Sequence, residues 1–189
     1  MNINVRDIVE VYIARELQAL RSVSSEEVVN LAHHIENARK SDSMVFIAGN
    51  GGSASTASHF ATDIGIGSLR RANPVRALSL CDNSSVLTAL GNDINFSSVF
   101  EQQLRLLAKP GDLIILISAS GNSSNLLKLH ECANEIGVKV FSMTGFDGGK
   151  LRELTRGSNV HVQTPDGAYG IVEDIHLAIC HAITECIRS

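Results

Sequence analysis

FIAGNGGSASTASHFATD, residues 46–63, opens as an apolar strand, turns on glycine and continues as a helix. The apolar run from Met44 to Ala48 has the character of a strand buried on both faces of a parallel sheet. In Gly49-Asn50-Gly51-Gly52-Ser53 the glycines remove the Cβ atoms that would hold backbone N–H groups away from an anion. Ser53 is the expected N-cap, and Ala54, Ser55, Ala57 and Ala61 are small enough for a helix packed closely on a sheet. A glycine turn feeding a helix N-terminus gathers free N–H groups at the positive end of the helix dipole, which suits a phosphate. His59 and Asp63, at i and i+4, project from one face of that helix as a pair suited to a metal or to acid–base work.

The same turn also serves where a helix simply packs close to a strand, so the rest of the chain has to agree. Its 189 residues are enough for one domain with a substantial core. A net charge of −4 argues against a sequence-independent nucleic-acid binder. No apolar run approaches the roughly 20 residues of a membrane span, and no secretory pattern opens the chain, so the expected location is cytoplasmic. Cys81, Cys132, Cys180 and Cys186 form no CxxC pair and are expected as reduced core residues.

Helical spacing of Val5, Ile8, Val9, Tyr12, Ile13, Leu17 and Leu20 predicts a helix over residues 3–21, and a second is expected over 25–39, capped by Ser24 or Ser25. Two helices ahead of the first strand exceed what a doubly wound sheet needs, and they are expected to dock on a partner subunit. Strands are predicted at 44–48, 75–80, 113–117, 138–143 and 160–162. Helices are predicted at 53–64, 84–90, 96–108, 122–136 and 169–187, with Gly91-Asn92-Asp93 as a break and 65–74 and 145–149 as loops. Such alternation predicts an α/β fold, a doubly wound parallel five-stranded sheet flanked by helices, with two extra N-terminal helices.

The third strand runs into SASGNSSN, residues 118–125. Here hydroxyls of Ser118, Ser120 and Ser123 replace the glycines of the first turn, while Gly121 allows close backbone approach. Ligands of open α/β sheets bind at the carboxyl ends of the strands, where both turns fall.

GNGGSASTASHFATD, GND at 91–93, ISASGNSSN at 117–125 and SMTGFDGGK at 142–150 resemble the sugar isomerase (SIS) domain family, and within it the phosphoheptose isomerase group. The resemblance implies a single SIS domain over 1–189, with 1–40 a helical pair for oligomerisation and 41–189 the α/β core. It implies a homotetramer with active sites at subunit interfaces. Ser53, Ser118, Ser120 and Ser123 would hold the sugar phosphate and Asp93 would contact substrate hydroxyls. Asn50, Gly51, Gly52, Ala119, Asn122 and Glu173 complete the implied substrate contacts.

The family's zinc ligands map onto His59, Asp63, Glu173 and His181, with Asp63 standing for a Glu and Glu173 for a Gln. These are donors suited to zinc or another divalent ion. The family also carries an Asp where this chain has Gly170. The implied enzyme is an aldose–ketose isomerase converting sedoheptulose 7-phosphate to D-glycero-D-manno-heptose 7-phosphate, for heptose synthesis in lipopolysaccharide or capsule. Its base is Asp63 or Glu173, and His181 is its acid. Alternatives are an isomerase of another sugar phosphate, or a non-catalytic SIS tetramer that binds a replication initiator protein. His176 is expected to be structural or interfacial, and His33, His34, His130 and His161 to lie at the surface.

Overall fold

The computed structural model describes residues 4–188. Residues 1–3 and Ser189, the outer ends of the first expected helix and of the expected single domain, lie outside the described residues. Two helices lead, α1 (Val5–Arg21) and α2 (Ser25–Lys40). The Asn4 side chain caps α1, and the Ser24 hydroxyl accepts from Glu27 N to cap α2. Leu31 and Ile35 of α2 are fully buried on the sheet, each worth roughly 1.5–3 kcal/mol. By contrast, the apolar stripe of α1, Val5, Ile8, Val9, Ile13, Leu17 and Leu20, faces outward, with Val5 71% exposed.

Strand–helix units follow: β1 (Met44–Gly49), α3 (Gly52–Gly67), β2 (Arg76–Ser79), α4 (Ser84–Asp93), a 3-10 turn at Phe96–Ser98, α5 (Val99–Leu107), β3 (Leu113–Ser118), α6 (Ser124–Ile136), β4 (Lys139–Phe146), α7 (Gly149–Leu154), β5 (Asn159–Gln163) and α8 (Tyr169–Arg188). The strands pair in parallel in the order β2-β1-β3-β4-β5. Side chains alternate faces with period two. Val45, Ile47, Ile115 and Ile117 meet Leu31 and Ile35 of α2, Phe60 and Ile64 of α3 and Ile179 and Ile183 of α8. On the other face Phe46, Ala48, Ile114 and Leu116 meet Phe100 and Leu104 of α5 and Leu126 and Leu129 of α6. Both faces are therefore dry, which is why β1 and β3 read as unbroken apolar runs.

The chain leaves β1 toward β2 and returns on the other side of β1 to form β3. That reversal opens a crevice between the carboxyl ends of β1 and β3, the switch point at which open α/β sheets take ligands.

Several local expectations are corrected. α4 continues through Gly91 to Asp93. Glycine costs a helix interior roughly 1 kcal/mol, which packing against the neighbouring 3-10 turn and α5 outweighs. β4 extends to Phe146, into the segment expected as a loop, and α7 begins at Gly149, the last residue of that segment. Ser53 is not a cap; it lies inside α3, buried, while Gly51 takes the N-cap position at φ 57°. Cys186 is exposed, whereas Cys132 and Cys180 are in the core. His130 and His161 are buried rather than at the surface, and His176 is fully enclosed.

Candidate active site

In the glycine turn each glycine has its own reason. A Cβ on Gly49 would come within 2.6 Å of the Ser53 carbonyl oxygen, so glycine lets α3 start directly over β1. Gly51 needs positive φ. Gly52 makes room for the Glu173 carboxylate, which any Cβ there would overlap. Glu173, from the second turn of α8, thus sits beside the N-terminus of α3. Asn50 turns its amide across the crevice to Asn125.

The serine turn after β3 is braced from within. The Ser118 hydroxyl accepts from Gly121 N at 3.0 Å, and the Ser120 hydroxyl accepts from Asn122 N at 3.3 Å. Gly121, at φ 63°, presses on the Gly148 carbonyl, closer than a side chain would allow. Asn122 donates to the Ser120 carbonyl at 3.0 Å and accepts from Lys150 N at 3.1 Å, so its amide braces the turn. Ala119 is buried against Phe146 and Val172. Ser123 occupies the N-cap position of α6, and its hydroxyl makes no cap hydrogen bond to the helix. Asp93 ends α4 on the surface and accepts from the Asn92 amide at 2.8 Å.

Helices α3 and α8 lie side by side and point the same way, since Gly52 meets Glu173 at one end and Gly67 meets Arg188 at the other. Midway along this seam His59, Asp63 and His181 converge. The Nε2 atoms of the two histidines are 3.1 Å apart. Asp63 Oδ2 lies 3.2 Å from His59 Nε2 and 3.8 Å from His181 Nε2. A tetrahedral ion with bonds of about 2.0–2.1 Å sets neighbouring ligand atoms about 3.3 Å apart, so one nitrogen–nitrogen–oxygen face of a zinc-like site is already formed. The three residues fit a divalent ion of that kind.

Glu173 is not among them. Eight residues of α8, about 12 Å of axial rise, separate it from His181, and its carboxylate lies against Gly52 instead. The expected four-ligand set is therefore three ligands on the flank and one carboxylate at the crevice. His59 is likewise about 10 Å along α3 from Gly52. Behind the trio, burial and, second to it, the Asp63 charge push the Cys180 thiol well above its ordinary range, so it remains a neutral filler.

Two features escape sequence reading. Tyr12 of α1 lays its hydroxyl against Gly170 and donates to Asp174 at 2.8 Å, filling the space that a side chain at 170 would take. His176 donates from Nε2 to the Thr144 carbonyl at 3.3 Å, and burial drives its pKa down to about 4. Neither pairing leaves a signal in the sequence, because the partners are far apart along it.

The family model described as SIS domain matches residues 11–145. A phosphoheptose isomerase of Neisseria meningitidis serogroup C / serotype 2a is 34% identical over 175 residues, 93% of this chain and 89% of that one. One from Helicobacter pylori (strain Shi470) is 37% identical over 175 residues, 92% of this chain and 87% of that one. The structure of phosphoheptose isomerase GmhA from Neisseria gonorrhoeae is similar with a TM-score of 0.87 and 30% identity, covering 97% of this chain and 98% of that one. A phosphoheptose isomerase from Francisella tularensis shares the fold with a TM-score of 0.89 at 24% identity, over 98% of this chain and 99% of that one.

Proposed function

The chain belongs to the SIS domain family, and on that footing we propose that it is a phosphoheptose isomerase converting sedoheptulose 7-phosphate to D-glycero-D-manno-heptose 7-phosphate. The observation that carries this function is the convergence of His59, Asp63 and His181 from helices distant in sequence, in a chain that also opens two anion turns at its switch point.

The phosphate sits between the turns, on the N-termini of α3 and α6, with hydroxyls of Ser118, Ser120 and Ser123 around it. Ser53 and the backbone of Asn50, Gly51 and Gly52 close the glycine side, Ala119 lends its backbone, and Asp93 meets sugar hydroxyls. The isomerisation moves one proton between C1 and C2 through an enediol. Glu173, at the crevice and outside the trio, is the carboxylate free to carry that proton, with Asp63 as the alternative base. His181 serves the sugar oxygens. Zinc or a similar divalent ion held by His59, Asp63 and His181 would supply polarisation of the substrate carbonyl.

Within one chain the trio and the crevice are about 10 Å apart along α3. Assembly as a homotetramer with active sites at subunit interfaces supplies what one copy lacks, and the outward apolar stripe of α1 is the surface we assign to that assembly. No helix among the described residues is long and apolar enough to cross a membrane. We place the enzyme in the cytoplasm, acting in heptose synthesis for surface polysaccharide.

The test is turnover of sedoheptulose 7-phosphate by purified protein, with added zinc, without it and after chelation. Turnover lost on chelation and restored by zinc supports the assignment. No turnover in any of these states, with metal content confirmed, overturns it.

A further inference from the structure

The ladder between β1 and β3 ends at the Gly49–Ile117 pair. Beyond it the two turns diverge toward different helices, and their separation is no longer set by strand pairing. A side-chain contact bridges that gap. Asn50 Nδ2 donates to Asn125 Oδ1 at 2.9 Å, and Asn125 Nδ2 donates back to Asn50 Oδ1 at 2.9 Å. Two such bonds between planar amides fix distance and orientation together. Asn125 lies in the first turn of α6 and is only 2% exposed, enclosed beside Leu126. Asn50 is half-buried and belongs to the glycine turn itself.

We propose that Asn125 is a positioning residue: acting through Asn50, it sets the gap between the glycine and serine turns and so the affinity of the crevice for a phosphate group. The inference rests on the assignment of this crevice as the phosphate site. Donors from both turns can reach one phosphate only if each lies within hydrogen-bonding distance, and a displacement of about 1 Å takes one set out of range. Asn125 has no need to touch the ligand; its amide is spent on Asn50.

The experiment compares the intact protein with Asn125→Ala, Asn50→Ala and the double variant. Three quantities are measured: the Kd for inorganic phosphate by calorimetry, KM and kcat for sedoheptulose 7-phosphate, and the thermal midpoint. Asn125→Ala is expected to weaken phosphate binding and raise KM about tenfold, the loss of one well-made hydrogen-bonded position, with kcat changed much less. In the Asn50→Ala background the same substitution is expected to add little. Asn125→Ser, which suits a helix N-terminus, is expected to behave alike and serves if the alanine variant does not fold.

A lowered thermal midpoint with Kd and KM unchanged would make the pair merely structural and overturn the proposal. So would an Asn125 effect that persists in full without Asn50. Wild-type protein that binds no phosphate overturns it too, leaving turnover to judge the isomerase separately. Phosphate binding with the Asn125 effect intact but no turnover keeps the positioning role and sinks the isomerase.

Discussion

His59 and His181 stand 122 positions apart in the chain, yet their Nε2 atoms are 3.1 Å from each other across the seam of α3 and α8. Asp63 Oδ2 completes the face, one helical turn beyond His59. Two imidazoles and a carboxylate whose ligand atoms lie within 4.8 Å of one another make a donor set of the kind that suits a divalent ion.

His181→Ala is expected to lower turnover of sedoheptulose 7-phosphate at least about a hundredfold while leaving the assembly intact. The same variant is expected to lose most of the rise in thermal midpoint that zinc gives the unaltered protein, since binding stabilises only a folded state that holds the ion. Full activity in this variant, checked beside its size-exclusion profile, would remove His181 from the chemistry.

Gly52→Ala introduces a methyl group into the Glu173 carboxylate. The expected outcome is a stability loss of about 1–3 kcal/mol, typical of overpacking, together with a marked drop in kcat. Adding Glu173→Ala should recover the stability and not the activity. Recovery of both in chemical denaturation and kinetic assays would show that Glu173 carries no proton.

Acid is expected to destabilise the protein through His176. Burial lowers its folded-state pKa from 6.5 to about 4, so the unfolded chain binds the extra proton throughout that interval. Stability from this group is complete above pH 6.5 and falls as pH drops toward 4, by on the order of 3 kcal/mol. Burial shifts His34, His130 and His161 in the same direction. Urea unfolding at pH 7.5 and 5 should show the loss, and His176→Leu should flatten it; an unchanged slope would contradict the origin in His176.

Leu17→Glu places a charge in the outward stripe of α1, where Leu17 is 49% exposed. If that stripe joins subunits, the variant is expected to run as smaller species in light scattering and to lose turnover. A tetramer that persists with full activity would move the interface elsewhere.

Much of the fold is legible in the sequence. The apolar runs at β1 and β3, the glycine and serine turns and the amphipathic spacing of α2 and α8 are local signals, each within one element. What misled were places where packing overrides propensity. Gly91 continues a helix because neighbouring structure supports it, and Ser53 is withdrawn from the cap because Gly51 alone takes the positive φ that the turn demands.

Sequence by itself determined the parallel sheet, the glycine and serine turns and the His59–Asp63 pair, because strand burial, turn chemistry and i, i+4 spacing act over short stretches of chain. Only the tertiary structure decided which of those residues meet. The parallel run of α3 beside α8 joins His181 to His59 and Asp63, and the same run holds Glu173 two turns away against Gly52. It also decided that Asn50 finds Asn125, since the reach between two turns depends on how the sheet spaces the strands that end in them.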